Sequence, residues 1–195
     1  MHADEVMLLF ERVGAVRHGH FELSSGRHSS TYVQCALVLQ YPESAEKLGR
    51  ALAEKFKGVQ VDCVASPALG GVLVGHEVAR GLGVRSVFVE RDSSGRMALR
   101  RGFAFQPNER VLVVEDVWTT GGSTRETISV VEQAGGLAVA AGALIDRSGG
   151  QLELNVPTKA LIDLNIPSYE VFECPLCRSG QEIAKPGSHF VRSER

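Results

Sequence analysis

Long apolar runs are missing from this sequence. The longest, LAVAAGALI from Leu137 to Ile145, falls far short of the ~20 residues a helix needs to cross a bilayer. An excess of basic charge is missing too: 21 lysines and arginines face 23 acids, a formal net charge of -2. No global field therefore favours nucleic acid or an anionic membrane, and any anion site has to be local. The four cysteines are Cys35, Cys63, Cys174 and Cys177, too few for a disulfide framework in a chain of this length. Neither a GxxxxGK[ST] loop nor a GxGxxG fingerprint occurs, which weakens nucleoside triphosphate and dinucleotide readings. The start, MHADEVMLLFERVG, mixes acids and bases over an apolar periodicity and lacks the pattern of a secretory signal. Repeats, low-complexity stretches and an interdomain linker are also absent. A soluble, cytoplasmic, single-domain protein is expected.

What is present is an alternation of strand and helix. Met7, Leu8, Phe10 and Val13 predict a first helix ending near Gly14, and HFELSSGRHSSTYVQCALVL reads as strand and turn around Ser24 to Arg27. Pro42 opens a second helix, in which Leu48, Leu52 and Phe56 stripe one face until Gly58. Then follow VDCVASP, the helical VLVGHEVARGLG, VRSVFVER, RVLVVED, the helical STRETISVVEQAGG and AVAAGALIDR, the signature of a parallel sheet. Val111 to Val114 is continuously apolar, as suits a strand covered on both faces. SSGRMALRRGFAFQP reads as a hairpin arm or loop. After Gly150 one more short strand and Pro-rich turns are expected.

The segment VLVVEDVWTTGGSTRE, Val111 to Glu126, carries the chemistry. In open parallel sheets ligands sit beyond the carboxyl ends of strands, where a loop enters a helix. Gly121 and Gly122 let backbone N–H groups approach an anion, Thr119, Thr120 and Ser123 add hydroxyls, and the helix adds its positive end. That combination makes a phosphate cradle. Glu115 and Asp116 would repel a phosphate unless they met something else on the same ligand. Adjacent strand residues face opposite ways, and ribose hydroxyls donate to carboxylates, so a ribose 5-phosphate site is expected. The bland alternative is a pair of helix-capping acids followed by an ordinary strand-to-helix turn.

VLVVEDVWTTGGS resembles the PRPP-binding motif of type I phosphoribosyltransferases. FELSSGRHSSTYVQC, ASPALGGVLVG and ALIDRSGG resemble, in order, segments of the orotate phosphoribosyltransferases, and CPLCRSGQEIAKPGS resembles the tail of a bacterial branch of them. The likeness covers nearly the whole chain. It implies an α/β fold with a central parallel sheet flanked by helices and a small hood formed by the N- and C-terminal segments. One domain would span 1–195, with its core at about 42–150 and the hood from 1–41 and 151–195. The implied reaction joins orotate to the ribose 5-phosphate of PRPP, giving orotidine 5'-monophosphate and diphosphate in pyrimidine synthesis, with Mg2+ on the PRPP. The implied assembly is a homodimer, without nucleic-acid or membrane partners.

Carried onto this chain, the resemblance gives Glu115 and Asp116 the ribose hydroxyls. It gives the phosphate to the loop running through Val117, Trp118, Thr119, Thr120, Gly121, Gly122 and Ser123, and the diphosphate to Ala68, Leu69 and Gly70. Arg147 would bind the carboxylate of orotate, with Thr119 and Ser25 beside the base; a surface ion pair with Asp146 or another acid is the competing reading of Arg147. Purine or xanthine transfer is the alternative within the fold, and a PRPP-binding regulator without turnover the alternative outside enzymes.

This sequence departs from the family pattern in three places. Lysines common in the diphosphate loop and in the mobile arm of many orotate enzymes are replaced, leaving Arg91, Arg96, Arg100 and Arg101 as the cations of the arm. Arginine binds diphosphate bidentately but cannot serve as an acid, so Arg91 or Arg96 is expected to neutralise charge, while a solvated face competes for Arg100 and Arg101. Trp118 stands where smaller aliphatic residues are usual, and core packing is its expected role. Cys174 and Cys177 form one CxxC, which cannot by itself build a four-ligand site; a reduced, packed turn is expected, the alternative being a site shared across a dimer or with His189. His18, His20, His28 and His76 show no ligand spacing, and no metal-ligating residue is assigned.

Overall fold

The computed structural model describes residues 1–23 and 25–186. Helix α1 (Ala3–Arg12) leads into a hairpin of β1 (Val16–Glu22) and β2 (His28–Val33), a short α2 (Ala36–Leu39) and α3 (Pro42–Lys55). The alternating core follows: β3 (Cys63–Pro67), α4 (Gly70–Leu82), β4 (Arg85–Arg91), β5 (Met97–Leu99), β6 (Arg110–Trp118), α5 (Gly122–Gln133), β7 (Leu137–Asp146) and β8 (Thr158–Asp163). The described chain closes with β9 (Ser168–Tyr169), a 3-10 turn (Val171–Glu173) and α6 (Pro175–Arg178).

Six strands form the main sheet in the order β5-β4-β3-β6-β7-β8, parallel throughout except for β5, which turns back on β4 as an antiparallel hairpin. The central strands are buried on both faces, and the period of two sorts their side chains into two cores. Val64, Leu112, Val114 and Leu144 meet Leu48, Leu52, Val74 and Val78 of α3 and α4. Ala65, Val111, Val113 and Ala143 meet Ile128 and Val131 of α5. Helices on both faces of a parallel sheet are what the alternating sequence predicted.

A second, three-stranded sheet, β1-β2-β9, is antiparallel and brings the N-terminal hairpin against a C-terminal strand. This is the hood. It is smaller than the sequence suggested, because α1 places Val6 and Phe10 in the main core and β8 extends the main sheet past residue 150. Two further differences have local causes. Ala36 to Leu39 is apolar enough to read as strand, yet it coils into a helical turn that buries Val38 and Leu39 against α3. The CxxC of the tail is more than a packed turn: Cys174 and Cys177 lie against His20 and His28 of the hairpin, a meeting that sequence spacing does not reveal. His189 lies outside the described residues.

Candidate active site

Strand β6 delivers the two acids to opposite faces. Glu115 points to the α5 side, where its Oε2 accepts the Thr124 hydroxyl at 3.2 Å. Asp116 points to the α4 side, and a Cβ built on Gly70 would stand 2.8 Å from both of its carboxylate oxygens. Only a glycine at the start of α4 admits that carboxylate so closely. Glu115 is buried and Asp116 half-buried. Burial pushes the Glu115 carboxyl well above the ordinary range, with the Asp116 charge adding to the rise, and burial likewise raises Asp116. Neither has a basic partner among the described residues. Two uncompensated carboxylates at a strand end are costly unless a ligand meets them.

Beyond the acids, Thr119 and Thr120 lead to Gly121, whose φ of 73° is the left-handed conformation that turns the chain into α5. The first turn of that helix leaves its N–H groups without intrahelical acceptors, so Gly122, Ser123 and Thr124 present donors and the positive end of the helix at one spot. Thr119, Thr120 and Ser123 are at least partly open to solvent. Trp118 is not: its indole is buried in the α5-side core, and its Nε1 donates to Thr124 Oγ1 at 2.9 Å. Trp118 thus supports the cradle from below, leaving only its backbone available to the loop surface. Val117 is half-buried against the other core.

The second loop, Ala68 to Gly70, sits at the end of β3 beside Asp116. Leu69 is 80% exposed and Gly70 is open, so this loop offers backbone rather than side-chain chemistry. At the end of β7, Arg147 is half-buried and turned to the hood. Its Nη2 donates to Ser29 Oγ at 3.1 Å and to the Thr31 carbonyl at 3.0 Å, and its backbone N–H donates to the Trp118 carbonyl at 2.8 Å. Among the described residues its buried Nε has no hydrogen-bond partner, and neither has the neighbouring Ser148 hydroxyl. Arg147 makes no ion pair with Asp146 or any other described acid, and burial lowers its pKa. A buried guanidinium edge without an acceptor is a place for an anion.

The remaining expected residues lie further out. Ser25 is on the exposed turn of the β1–β2 hairpin. Arg91 pairs with Glu126 of α5 at 3.0 Å and donates to the Gly95 carbonyl. Arg96 is the most exposed cation of the arm, with Asp92 at 3.8 Å, and Arg100 and Arg101 both pair with Glu90. Three residues near Arg147 or Asp116 were not singled out in the sequence. Ser29 is fully buried and joins Arg147 to the Pro167 carbonyl. Burial raises the pKa of the half-buried Tyr32, with the Asp116 charge adding to the rise, and Cys35 Sγ rests 3.9 Å from the Asp116 carbonyl. All three lie in FELSSGRHSSTYVQC, whose resemblance to the orotate family was the signal for the stretch but singled out none of them.

Residues 37–174 match the family model described as phosphoribosyl transferase domain. The orotate phosphoribosyltransferase of Pelotomaculum thermopropionicum is 52% identical over 98% of this chain and 100% of its own length. The chain belongs to the orotate phosphoribosyltransferase family. The Caldicellulosiruptor saccharolyticus member is 51% identical over 98% of this chain and all of its own. Among solved structures, the Mycobacterium tuberculosis orotate phosphoribosyltransferase in complex with PRPP is 25% identical, with a TM-score of 0.66 over 82% of this chain and 94% of that one. The identities to orotate enzymes favour that branch over the purine reading within the fold.

Proposed function

We propose that this protein transfers the ribose 5-phosphate group of PRPP to orotate, giving orotidine 5'-monophosphate and diphosphate, with Mg2+ accompanying the PRPP. The observation that carries the choice of base is Arg147, a half-buried guanidinium with an unpartnered Nε at the end of the strand beside the acid pair. Orotate is an anionic base, and its carboxylate supplies the acceptor this edge lacks. The 5-phosphate falls to the N–H groups and hydroxyls of Thr119 to Ser123, and the ribose hydroxyls to Glu115 and Asp116. The backbone of Ala68 to Gly70 takes the diphosphate.

The site suits a metal-bound diphosphate. Half-buried carboxylate oxygens without a basic partner are hard donors of the kind Mg2+ takes, often through retained waters. Asp116, against Gly70, would hold that ion, which when bound would neutralise charge on the departing diphosphate. The protein's own residues do the rest. Loss of diphosphate leaves positive charge on the anomeric carbon, and the carboxylates on β6 are already fixed where that charge develops. Arg147 holds the base so that its ring nitrogen faces the same carbon, a matter of orientation more than of proton transfer. Arg91 or Arg96, on the β4–β5 arm, adds charge against the diphosphate once released from its present acid partner. We include Thr119 and Ser25 beside the base, the homodimer and a cytoplasmic setting in this reading. The family resemblance supports these, and no helix among the described residues is long and apolar enough to cross a membrane.

The test is loss of orotate absorbance on mixing protein, PRPP, Mg2+ and orotate, with hypoxanthine, adenine and xanthine assayed in parallel. Consumption of orotate alone is expected. Consumption of a purine instead, or PRPP binding without turnover of any base, refutes the proposal.

A further inference from the structure

Four side chains outside the active site converge on one point. His20 and His28 come from the two strands of the N-terminal hairpin, Cys174 from the position just before α6 and Cys177 from within it, and their ligand atoms all lie within 4.8 Å of one another. His20 Nε2 is 2.9 Å from His28 Nδ1, 3.6 Å from Cys174 Sγ and 3.7 Å from Cys177 Sγ; Cys177 Sγ is 3.2 Å from His28 Nδ1. Zinc bonds of about 2.3 Å to sulfur and 2.0–2.1 Å to nitrogen set tetrahedral edges of roughly 3.3 Å between nitrogens, 3.5 Å between nitrogen and sulfur and 3.8 Å between sulfurs. The nitrogen–sulfur separations of 3.2 to 3.7 Å bracket their edge, and the nitrogen pair at 2.9 Å is somewhat closer than its own.

Two independent observations point the same way. The first is orientation: His20 Nδ1 faces the Gln181 carbonyl at 2.8 Å. A carbonyl only accepts, so Nδ1 carries the proton and the lone pair of Nε2 is directed at the cluster, the outer-shell arrangement that metal-ligating histidines use. The second is the state of the tail. From Val171 to Pro186 only Cys174 is buried, while Val171 is 55% and Phe172 76% exposed. Burial of apolar surface does not hold this segment down. Apart from the cluster, β-bridge hydrogen bonds of Ala184 with His20 and Glu22 and an ion pair of Lys185 with Glu22 fasten it.

We propose that His20, His28, Cys174 and Cys177 form a structural zinc site that fastens the C-terminal tail to the hood. Two thiolates and two imidazoles in tetrahedral array select zinc over Mg2+, which takes oxygen donors, so the site is chemically separate from the ion that accompanies PRPP. With four protein ligands it leaves no open position and is structural, not catalytic. His20 and Cys174 are 154 positions apart, and closing so long a loop in the folded state is where a metal clip contributes most. His28 precedes Ser29, which holds Arg147, so the clip also steadies the strand that positions the base-binding arginine.

The test uses the full chain, purified without chelator, reduced, equilibrated with Zn2+ and freed of loose metal. Elemental analysis is expected to give one zinc per chain. Bound zinc falls roughly tenfold or more in Cys177→Ser and in His28→Asn and is unchanged in His76→Asn, a histidine on the exposed face of α4. Cys177 is exposed, so its replacement spares the core, and His28→Cys, which keeps four ligands, restores the metal. Cobalt exchanged into the site gives tetrahedral ligand-field bands with a thiolate charge-transfer band, both missing from Cys177→Ser. Chelation speeds tryptic cleavage at Arg178 severalfold. Zinc below about 0.1 per chain in the reduced protein, retention of metal by Cys177→Ser, or a cobalt spectrum without sulfur would overturn the site. A cleavage rate indifferent to chelation would overturn its role as a fastener.

Discussion

Replacing Glu115 by Gln should stabilise the ligand-free protein while disabling it. The carboxyl is buried, its pKa is raised first by that burial and then by Asp116, and one hydrogen bond from Thr124 offsets this only in part. Between the ordinary carboxylate pKa and the raised folded value, the folded state binds a proton that the unfolded state has released. Stability attributable to this group is therefore intact at low pH and is lost as pH rises through that window, with a limiting slope of about 1.4 kcal/mol per pH unit. Asp62, Glu90, Asp92 and Glu109 are shifted downward by arginine or serine partners and give slopes of the opposite sign, so the quantity to read is the difference between parent and variant. The glutamine amide keeps an oxygen for Thr124 and carries no charge. Each kcal/mol of relief should add ~2–4 °C to the melting temperature of a protein this size. Thermal unfolding from pH 4 to 8, without substrate, should show the two proteins converging at the acid end and separating as pH rises, with the variant higher. Turnover should fall about 10²–10³-fold, the cost of removing one preorganised electrostatic contact. A variant less stable than the parent at pH 7.5, or a pH-independent difference, would refute the reasoning, since either result means Glu115 is not strained by its surroundings.

Gly70→Ala should lower kcat/KM by about 10²-fold with stability nearly unchanged: a methyl 2.8 Å from both Asp116 oxygens displaces that carboxylate, yet Gly70 itself is open to solvent. Steady-state kinetics beside a melting curve decide it, and an unaffected kcat/KM would show that the position of Asp116 is immaterial. Arg147→Lys keeps the charge and loses the planar fork, so KM for orotate should rise roughly ten- to hundredfold while KM for PRPP stays within about twofold; an equal rise in both would mean that Arg147 acts on the fold rather than on the base. Trp118→Phe removes the 2.9 Å bond to Thr124 and should cost about 1 kcal/mol, or ~2–4 °C in melting temperature, and an unchanged melting point would count against the indole as a support of the cradle.

How much of this was legible in the sequence depended on how local the signal was. The acid pair, the cradle and the switch from strand to helix lie within one stretch, and the alternation of side chains along a strand is enough to send Glu115 and Asp116 to opposite faces. That Arg147 follows a strand end of the parallel sheet, where ligands bind, was legible, although its Nε without a partner among the described residues was not. The short α2 and the placement of β8 in the main sheet were hidden, because four apolar residues after a strand, or a six-residue segment with three apolar positions after a long loop, carry no decisive period. The cluster of His20, His28, Cys174 and Cys177 was illegible for a stronger reason. Its two halves meet only because the chain returns, more than a hundred residues later, to the hairpin it began with.

On the proposed reading, the hydrogen bonds around Arg147 would let the hood set the base while the PRPP chemistry stays constant. The Arg147 N–H holds the Trp118 carbonyl, and the Trp118 indole holds Thr124, whose hydroxyl reaches Glu115. On its other side the guanidinium holds Ser29 and the Thr31 carbonyl, and Ser29 reaches Pro167 before β9. A change in β2 or β9 therefore reaches the guanidinium first, and the strand that carries the acids only through the Arg147 N–H bond to Trp118. A change in β6 or α5 would disturb the proposed ribose and phosphate contacts together. Arg147 stands where the two sets of constraints meet, so selectivity for the base can vary with the small sheet while the cost of burying two carboxylates stays in the large one.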